Sequence, residues 1–466
     1  MDKEWCIAAT KQLVLLLFFC FFASHEIFAQ NGSRGIKARI YKISSAAELS
    51  AIMLNPGDKV IMKNGDWKNQ KLIFKGKGTK VLPIVLIAEN AGNVILNGNS
   101  SLIIDGSWLV VDGLNFRDGY TLTENVITFS EQSENCRLTN TAVVDYNNPE
   151  KKVRNSWIVL YGTKNRVDHC YLKGKTHVGT TIGVYVSNTP NYHRIDHNYF
   201  ADRPPLGRNG GEILRIGTDV WSMHDSFTIV EENIFTHCDG EVEIVSNKST
   251  NNTIRNNLFY ESKGGLVLRH GNKANVYGNY FIGNGKEGAN GVRVIGEEHK
   301  IYDNYFQDLT SAFLIRNAWV NPPLFGYWQV KNAEITGNTI INCKENFVIG
   351  AGKDEEAMLP PVTTLIRNNL IYTNQILISW LEKEADITFK GNVAYGMPDK
   401  DLPVGIKILD PKLKRIKYGI YKSDNVFAST VGSKKMNEFQ KAVFEIKGIG
   451  ISWMKMPELF KNSMIK

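Results

Sequence analysis

Apolar and polar residues alternate in short runs along most of the chain, in the pattern typical of β-strands with one buried side. Its central part shows no sustained spacing of apolar residues at three and four positions, which a long amphipathic helix would need. Glycine is frequent, with 40 residues, and suits tight turns between strands. The pattern therefore predicts an all-β protein made of many short strands.

A short sequence phrase recurs: an apolar residue, two residues that are mostly polar, an Asn, and a pair of aromatic or aliphatic residues. Three earlier copies are degenerate and carry Leu114, Thr141 and Cys170 at the Asn position. Eight copies keep the Asn, and successive copies lie 22 to 35 residues apart: Asn198, Asn233, Asn257, Asn279, Asn304, Asn338, Asn369 and Asn392.

A single repeat of this kind cannot bury its own apolar side, whereas stacked repeats can. The prediction is an all-β, right-handed parallel β-helix with a short N-terminal helical cap. The recurrent Asn would form a corner of each coil, adopt a left-handed backbone and hydrogen-bond to the Asn of the next coil. Leucine-rich repeats and β-propellers have similar periods, but the chain has no Leu-x-x-Leu-x-Leu frame and no Trp-Asp signature.

Both ends of the repeat region carry predicted caps. Ser45 and Glu48 have the spacing of a capping box, which predicts a short helix over the open end of the first coil. After residue 400 the repeat fades, and residues 434–444 have a helical, Lys-rich pattern. The predicted domains are a β-helix catalytic domain at 30–400 and a C-terminal capping region at 401–466.

The first 29 residues have the features of a secretory signal peptide. Lys11 precedes an apolar run from Leu13 to Ala23, and Ala29 offers a small residue for cleavage before Gln30. An uncleaved N-terminal anchor is the alternative. The expectation is a secreted or periplasmic protein with no stable membrane insertion after cleavage.

Composition narrows the class of protein. Charged residues make up 22% of the 466 residues and apolar residues 43%, which excludes a disordered chain, collagen and a multi-span membrane protein. Removal of residues 1–29 leaves 53 basic and 44 acidic residues, a net charge of +9. A basic exported protein favours an anionic polysaccharide as its partner over nucleic acid.

Cysteine usage adds little to the function. Four cysteines remain after cleavage, and no two of them form a Cys-x-x-Cys pair: Cys136, Cys170, Cys238 and Cys343. They are expected to be small buried apolar residues, with one disulfide left open as the alternative.

Strand alternation brings several charged residues to one outer face. Arg215 and Arg293 each lie between residues that are predicted to point inward, and Arg269 follows the inward Leu266 and Leu268, so all three arginine side chains should point outward. In the segment Glu241-Val242-Glu243-Ile244, Val242 and Ile244 are predicted to point inward and both glutamates outward.

The spacing of these residues matches the period of the repeat. Arg215 and Glu241 are 26 residues apart, Glu243 and Arg269 are 26 apart, and Arg269 and Arg293 are 24 apart. Equivalent positions of neighbouring coils lie about 4.8 Å apart. The residues should therefore stack in one patch, with Lys248 just past the strand end and His270 beside Arg269.

A solvated surface of ion pairs is the simplest interpretation of such a patch. Two glutamates at i and i+2 repel each other unless a cation lies between them, and Asn209 and Glu212 add further oxygen atoms. Oxygen ligands favour a hard cation such as Ca²⁺. The arginines exceed what two glutamates need, which leaves positive charge for an anionic sugar.

Three motifs carry a resemblance to a known family: Asn209-Gly-Gly-Glu212, Glu241-x-Glu243-x₄-Lys248, and Arg269-His270-Gly. The chain resembles polysaccharide lyase family 6 from the turn at Asn55 to at least residue 395. That family contains alginate lyases and chondroitinase B, which cleaves dermatan sulfate, and its fold agrees with the repeat.

The resemblance implies roles for individual residues. Asn209, Glu241 and Glu243 would bind Ca²⁺, Lys248 would be the general base and Arg269 the general acid. The positions expected to bind substrate are Arg215, His270 and Arg293. The aromatic residues that line the substrate subsites are less well defined, and the candidates are Tyr161, Tyr327 and Trp328.

The implied reaction is β-elimination on a uronate polymer, with loss of the C5 proton, cleavage of the C4–O bond and an unsaturated uronate product. Alginate is the expected substrate, with a poly(β-D-mannuronate) lyase as the expected type. The alternatives are a lyase acting on dermatan sulfate and a non-catalytic β-helix that binds polysaccharide. Block preference, endo or exo cleavage and oligomeric state stay open.

Overall fold

Three long parallel sheets, named A, B and C in chain order, make up the body of the protein. The computed structural model describes residues 38–396 and 402–460. The chain divides into two units, Met1–Arg39 and Ile40–Lys466, and the second unit forms the sheets. The predicted signal peptide at residues 1–29 lies outside the described residues.

A complete coil contributes one strand to sheet A, then one to sheet B and one to sheet C, and the coils at the two ends are incomplete. The fourteen strands of sheet A are Ile40–Ile43, Lys59–Met62, Ile84–Ala88, Leu109–Asp112, Arg137–Thr139, Arg166–Asp168, Arg194–Asp196, Ile229–Glu231, Thr253–Arg255, Asn275–Tyr277, Lys300–Tyr302, Glu334–Thr336, Thr364–Arg367 and Ile387–Lys390. The fourteen strands of sheet B are Gly65–Lys68, Val94–Gly98, Leu114–Gly119, Ala142–Val144, Tyr171–Lys173, Tyr199–Arg203, Ile234–Cys238, Leu258–Tyr260, Tyr280–Ile282, Tyr305–Gln307, Thr339–Ile341, Leu370–Tyr372, Asn392–Tyr395 and Ile406–Ile408. The twelve strands of sheet C are Lys71–Lys77, Ser101–Ser107, Ile127–Phe129, Ile158–Leu160, Ile182–Val184, Leu214–Ile216, Glu243–Lys248, Gly264–His270, Ala289–Val294, Ser311–Arg316, Glu345–Ala351 and Ile378–Trp380.

Every strand within a sheet pairs in parallel with its equivalent in the next coil. In sheet A, for example, Arg166 lies opposite Arg194, and Arg194 lies opposite Ile229. This is the right-handed parallel β-helix that the repeat predicts. Among the described residues, no helix combines the length and the apolar character needed to cross a membrane.

Stacked side chains fill the interior of the helix. Phe200, Phe235, Phe259, Phe281 and Phe306 form a column with ring centroids 4.5 to 5.0 Å apart and nearly parallel planes. All five are at most 3% exposed. The aromatic pair of each repeat therefore places one ring in a continuous apolar column, which supplies burial that a single coil lacks.

The recurrent Asn forms the predicted ladder, with one correction. The backbone N–H of Asn257 donates to Oδ1 of Asn279 at 3.0 Å, and the backbone N–H of Asn279 donates to Oδ1 of Asn304 at 3.0 Å. The same bond links the other Asn positions from Asn198 to Asn392. The left-handed backbone, however, belongs to the residue before each Asn, with φ between 52° and 65°.

This displacement has a physical reason. The ladder Asn must point its side chain into the coil to reach its neighbour, so the preceding residue makes the reversal of the chain. Positions with positive φ favour Gly, Asn and Asp, and six of the eight are of these types, among them Asn256, Gly278 and Asp303.

Short helices lie near both ends of the described chain. Helix Ala46–Ser50 begins at Ser45, whose hydroxyl accepts from the N–H of Glu48, and its Leu49 joins the core of the first coils. Helix Glu438–Phe444 begins at Asn437 with a capping box to Gln440. The described part of the C-terminal region runs back along sheet B, since Gly432 contacts Asn368, Gln440 contacts Gly278, and Gly450 contacts His197.

The four cysteines of the described chain are free and buried. Burial raises the pKa of Cys136 to about 11 and that of Cys343 to about 12. They behave as small apolar residues, as the sequence predicts, and form no disulfide.

Candidate active site

The candidate site lies on the outer face of five neighbouring strands of sheet C, from Leu214–Ile216 to Ser311–Arg316. Leu214, Leu266, Leu268, Val292 and Val294 point into the core as predicted, and each is at most 1% exposed. Arg215, Arg269 and Arg293 each come directly after one of these inward residues and therefore face outward, which places them on one side of the molecule.

The register of these strands differs from the one that the spacing predicts. Arg215 lies opposite Ser246, Ser246 lies opposite Val267, and Val267 lies opposite Arg293. Glu241 is thus not aligned with Arg215, and Arg269 is aligned with neither Glu243 nor Arg293. The residues share a face, but they do not form the straight column of the prediction.

Irregular pairing explains the error. The strand that follows Glu241 begins only at Glu243, and its pairing shifts between Glu243 and Val245 and again between Asn247 and Lys248. Such a bulge places an extra residue in one strand and breaks simple alternation. Ile244 and Val245 consequently both join the core, while Val242, predicted to point inward, is 45% exposed.

Three glutamates influence one another electrostatically at one end of the site. Glu212 is 6% exposed, and its Oε2 is buried without a hydrogen-bond partner. Burial, together with the charges of Glu212 and Glu243, raises the pKa of Glu241 to about 8. Mutual repulsion of this kind is the electrostatic condition that a bound cation would relieve.

Asn209 lies on the exposed loop that leads into Glu212. Two glycines let this loop pack tightly against the segment before Glu241: a Cβ at Gly211 would lie 2.4 Å from the carbonyl oxygen of Gly240, and a Cβ at Gly240 would lie 2.2 Å from that of Gly211. A side chain at either position would push Asn209 and Glu212 away from Glu241.

A buried arginine holds the same loop from beneath. Arg203 is 1% exposed, and its guanidinium donates to the carbonyl oxygens of Glu212 at 2.8 Å and Gly210 at 3.0 Å. It also donates to the carbonyl oxygen of Gly179 in the preceding coil at 2.8 Å. The loop carrying Asn209 is therefore fixed by a side chain that no pattern along the chain singles out.

Lys248 ends its strand at the opposite end of the site. Its side chain is 17% exposed, so the amine reaches solvent, and Nζ lies 3.2 Å from Oδ1 of Asp219. Asp219 begins a 3₁₀ turn, Asp219–Trp221, in the loop after strand Leu214–Ile216. This acidic partner of Lys248 was missed at the sequence level.

Arg269 lies between the amine and the glutamates. Its Nε is 3.9 Å from Oε1 of Glu243, and its Nη1 donates to Nε2 of His270 at 2.8 Å. His270 is only 2% exposed, and burial with the nearby charges of Arg269 and Lys248 lowers its pKa to about 3. A neutral His270 accepts a hydrogen bond from Arg269 and so holds the guanidinium in place. Because His270 is buried, it offers little surface to a ligand.

Aromatic rings flank the arginines. The guanidinium of Arg215 lies 5.7 Å from the ring centroid of Tyr185, and the Tyr185 ring stacks on Tyr161 at 4.7 Å. Arg269 and Arg316 lie on the ring of Tyr327 at 4.1 and 3.9 Å. Trp328, the third aromatic candidate, donates its indole N–H to the carbonyl oxygen of Leu324 at 3.3 Å.

Tyr185 and Arg316 were also missed, although a signal for Arg316 was present. Phe313 and Ile315 point inward, so the same alternation that selected Arg215 also predicts an outward Arg316. Burial and the charge of Arg293 contribute to a lowered pKa of Arg316. The arginine group of the site therefore extends one coil further than predicted.

Comparisons with known proteins agree with this architecture. The family model of chondroitinase B matches residues 43–436. The solved structure of AlyGC, described as a PL6 family alginate lyase, aligns with a TM-score of 0.84 and 37% identity over 90% of this chain. The chain spans 59% of the length of AlyGC.

Two further solved structures cover nearly their whole length. A mannuronic-acid-specific polysaccharide family 6 lyase from human gut microbiota aligns at 31% identity with a TM-score of 0.74, over 89% of this chain and 97% of its own. A PL6 family polysaccharide lyase from Pseudopedobacter saltans aligns at 29% identity with a TM-score of 0.70, over 85% of this chain and 99% of its own. A search of curated proteins gave no match. By the extent of the family model and of these alignments, the chain belongs to polysaccharide lyase family 6.

Proposed function

We propose that this protein is an exported lyase that cleaves alginate by β-elimination. The observation that carries the proposal is that the amine of Lys248, which reaches solvent, and the guanidinium of Arg269, which lies near Glu243, share one outer face of sheet C. An acid–base pair next to a site for an anionic group is what elimination next to a sugar carboxylate needs.

Lys248 acts as the general base in this proposal. In its neutral form, Nζ takes the proton from C5 of a uronate, and the C5–H electrons form the C4–C5 double bond. The C4–O4 bond breaks, and O4 leaves with a proton supplied by Arg269 or by a water beside it. Arg215, Arg293 and the tyrosines would hold the sugar carboxylates and rings on either side of the scissile bond.

A Ca²⁺ ion is proposed at Asn209, Glu241 and Glu243, with Glu212 beside them. The orphaned Oε2 of Glu212 and the raised pKa of Glu241 fit an all-oxygen cation site. Among the described residues, no three His, Cys, Asp or Glu side chains are grouped closely enough to hold a metal by themselves. The amide of Asn209 and the substrate's own carboxylate are therefore needed to complete the shell. When bound, the ion would neutralise the sugar carboxylate and lower the barrier to loss of the C5 proton.

Alginate is favoured over dermatan sulfate as substrate. One relative at 37% identity is named an alginate lyase, and another at 31% identity is named mannuronic-acid-specific. The latter supports a poly(β-D-mannuronate) lyase as the type. Dermatan sulfate is the second candidate, because the family model that matches is that of chondroitinase B.

The decisive experiment is a substrate screen of the purified full chain. Mannuronate-rich alginate, guluronate-rich alginate and dermatan sulfate would be followed by absorbance near ~230 nm, where unsaturated uronates absorb. We expect product from alginate, faster on mannuronate blocks, with loss of activity in EDTA and recovery on adding Ca²⁺. Product from dermatan sulfate alone would support the second candidate. Absence of product from all three polymers would overturn the proposed lyase activity.

A further inference from the structure

Asp219 stands out among the charged residues around the candidate site, because it contacts the proposed base and takes no part in the reaction proposed above. Its Oδ1 lies 3.2 Å from Nζ of Lys248 and 3.9 Å from Nδ1 of His270. The Asp219 side chain is 57% exposed, whereas that of Lys248 is 17% exposed. An ion pair with such an exposed carboxylate adds little to folding stability. A role in the reaction is therefore the more informative hypothesis for Asp219.

The position of Asp219 is defined by the loop that carries it. The 3₁₀ turn Asp219–Trp221 follows strand Leu214–Ile216, and Ser222 after it donates to the carbonyl oxygen of Leu324 at 3.0 Å. Leu324 belongs to the loop that also carries Tyr327 on Arg269. The loop that carries the carboxylate is therefore anchored beside the site by a contact with another coil.

The charged groups facing Lys248 are few. His270 on the adjacent strand is buried, and its lowered pKa of about 3 keeps it neutral at ordinary pH. Arg269 lies beside His270, and Arg215 on the other adjacent strand turns towards Tyr185. Burial acts to raise the pKa of Asp219, but the charges of Lys248 and Arg269 lower it overall, so Asp219 carries negative charge.

We propose that Asp219 is a positioning residue that holds the amine of Lys248 and stabilises the ammonium formed when Lys248 accepts the C5 proton. This inference rests on the proposed function. As the proton leaves C5 for Nζ, positive charge develops 3.2 Å from a carboxylate. The C5–H electrons enter the C4–C5 double bond, O4 departs with the proton from Arg269 or water, and the proton on Nζ later returns to water.

The carboxylate has two opposed effects on rate. It favours the protonated amine, so a smaller fraction of Lys248 is ready to act as base at neutral pH. It also makes the neutral amine a stronger base, which speeds the proton transfer itself. Removal of the charge should therefore change the shape of the pH profile, and loss of mere structural support would not.

The test compares Asp219→Asn with the wild type by kcat/KM on alginate between pH 6 and pH 10. We expect the rising limb of the Asn variant to move about one unit towards lower pH, with a lower plateau at high pH. Asp219→Glu should restore the wild-type midpoint. Asp225→Asn is the matched control, because Asp225 lies on the same loop but accepts from Asn251 at 2.7 Å, and its profile should match that of the wild type.

A second readout needs no activity. Reductive ¹³C-methylation of lysines gives an NMR signal for Lys248, assigned by its loss in Lys248→Arg, whose midpoint can be titrated. A lower midpoint in Asp219→Asn supports the inference, and equal midpoints in the variant and the wild type overturn it. A wild type that makes no unsaturated product from any uronate polymer overturns the proposed function instead, and the NMR titration still decides whether Asp219 tunes Lys248.

Discussion

Two regions of the β-helix carry arginines and carboxylates on the outer face of a parallel sheet, and they use them in opposite ways. On sheet A, Asp168, Asp196 and Glu231 are at most 2% exposed. Each contacts two arginines: Asp168 lies 2.7 Å from Arg137 and 2.6 Å from Arg166, and Glu231 lies 2.8 Å from Arg194 and 2.6 Å from Arg255. These residues form the sheet A ladder, in which every carboxylate is compensated.

On sheet C the same residue types are left uncompensated. Glu212, Glu241 and Glu243 lie together, and the shortest approach of Arg269 to Glu243 is 3.9 Å. Arg215, Arg269 and Arg316 contact tyrosine rings. Paired charges neutralise each other and leave little for a ligand to bind, whereas charges held apart are available to a ligand. Charge content alone therefore does not distinguish the candidate site on sheet C from the structural ladder on sheet A.

The largest expected effect comes from removing the amine of Lys248 from the candidate site. We predict that Lys248→Met lowers kcat on alginate by about a thousandfold, because loss of a general base costs roughly 10² to 10⁴ in rate. The midpoint of thermal unfolding should stay within a few degrees of the wild type, since the pair with Asp219 is exposed.

Lys173→Met is the control for this variant. Lys173 lies on sheet B and pairs with Asp202 at 3.5 Å on the surface. It should keep wild-type kcat. Retained activity in Lys248→Met would reject Lys248 as the base.

The second prediction breaks the sheet A ladder. Asp196 accepts from Arg166 at 2.5 Å and pairs with His197 at 2.7 Å, while its own side chain is fully buried. Asp196→Asn leaves these cations without their buried partner and should lower the free energy of unfolding by about 3 kcal/mol. The kcat of the folded variant should be unchanged.

Urea denaturation followed by circular dichroism measures this loss. Asp202→Asn offers the comparison, because the Asp202 side chain is 50% exposed and its pair with Lys173 should contribute at most about 0.5 kcal/mol. Equal losses in the two variants would contradict the distinction between a buried ladder and a solvated pair.

The third prediction concerns pH. Burial alone would lower the pKa of His197, but hydrogen bonds to Asp196 and Glu232 raise it to about 9, from 6.5. A raised pKa means that the stabilisation is fully present below pH 6.5 and is lost as pH rises through 9. The free energy of unfolding should fall by about 3 kcal/mol over this interval.

Replacement of His197 by Gln should remove most of that pH dependence, as measured by urea denaturation at fixed pH values. His237→Gln is the control, because that ring is 47% exposed and lies 3.3 Å or more from its acidic neighbours. A wild-type stability that stays flat between pH 6.5 and 9 would show that His197 does not carry the charge.

The fold could be predicted from the sequence because its determinants are repeated. Eight copies carry the same Asn, and most of these also carry an inward ring, so a departure in one copy does not hide the pattern. Even there, the left-handed residue was placed one position too late, since the sequence does not say whether Asn or its predecessor turns the chain.

The site was predicted less completely, because its geometry depends on irregular features. Strand alternation correctly predicts that Arg215, Arg269 and Arg293 point outward. The predicted register is wrong because the pairing shifts near Glu243 and Lys248. Asp219 lies on a turn whose place depends on contacts with another coil. No pattern along the chain encodes such contacts, and only the folded structure brings that carboxylate to Lys248.

The smallest expected effect comes from Arg215, where a substitution can separate the role of the guanidinium group from that of its positive charge. Arg215 donates to the hydroxyl of Tyr185 at 3.4 Å and lies over its ring. Arg215→Lys keeps the charge but loses the planar, forked donor that matches a carboxylate. We predict a rise in KM for alginate of about tenfold, or about 1.4 kcal/mol, with kcat within about twofold of the wild type. Arg137→Lys on the sheet A ladder should leave KM unchanged while lowering stability, because its partner Asp168 is buried there. An unchanged KM in Arg215→Lys would mean that Arg215 acts on the substrate only through its charge. An equal rise of KM in Arg137→Lys would contradict the distinction between the two regions.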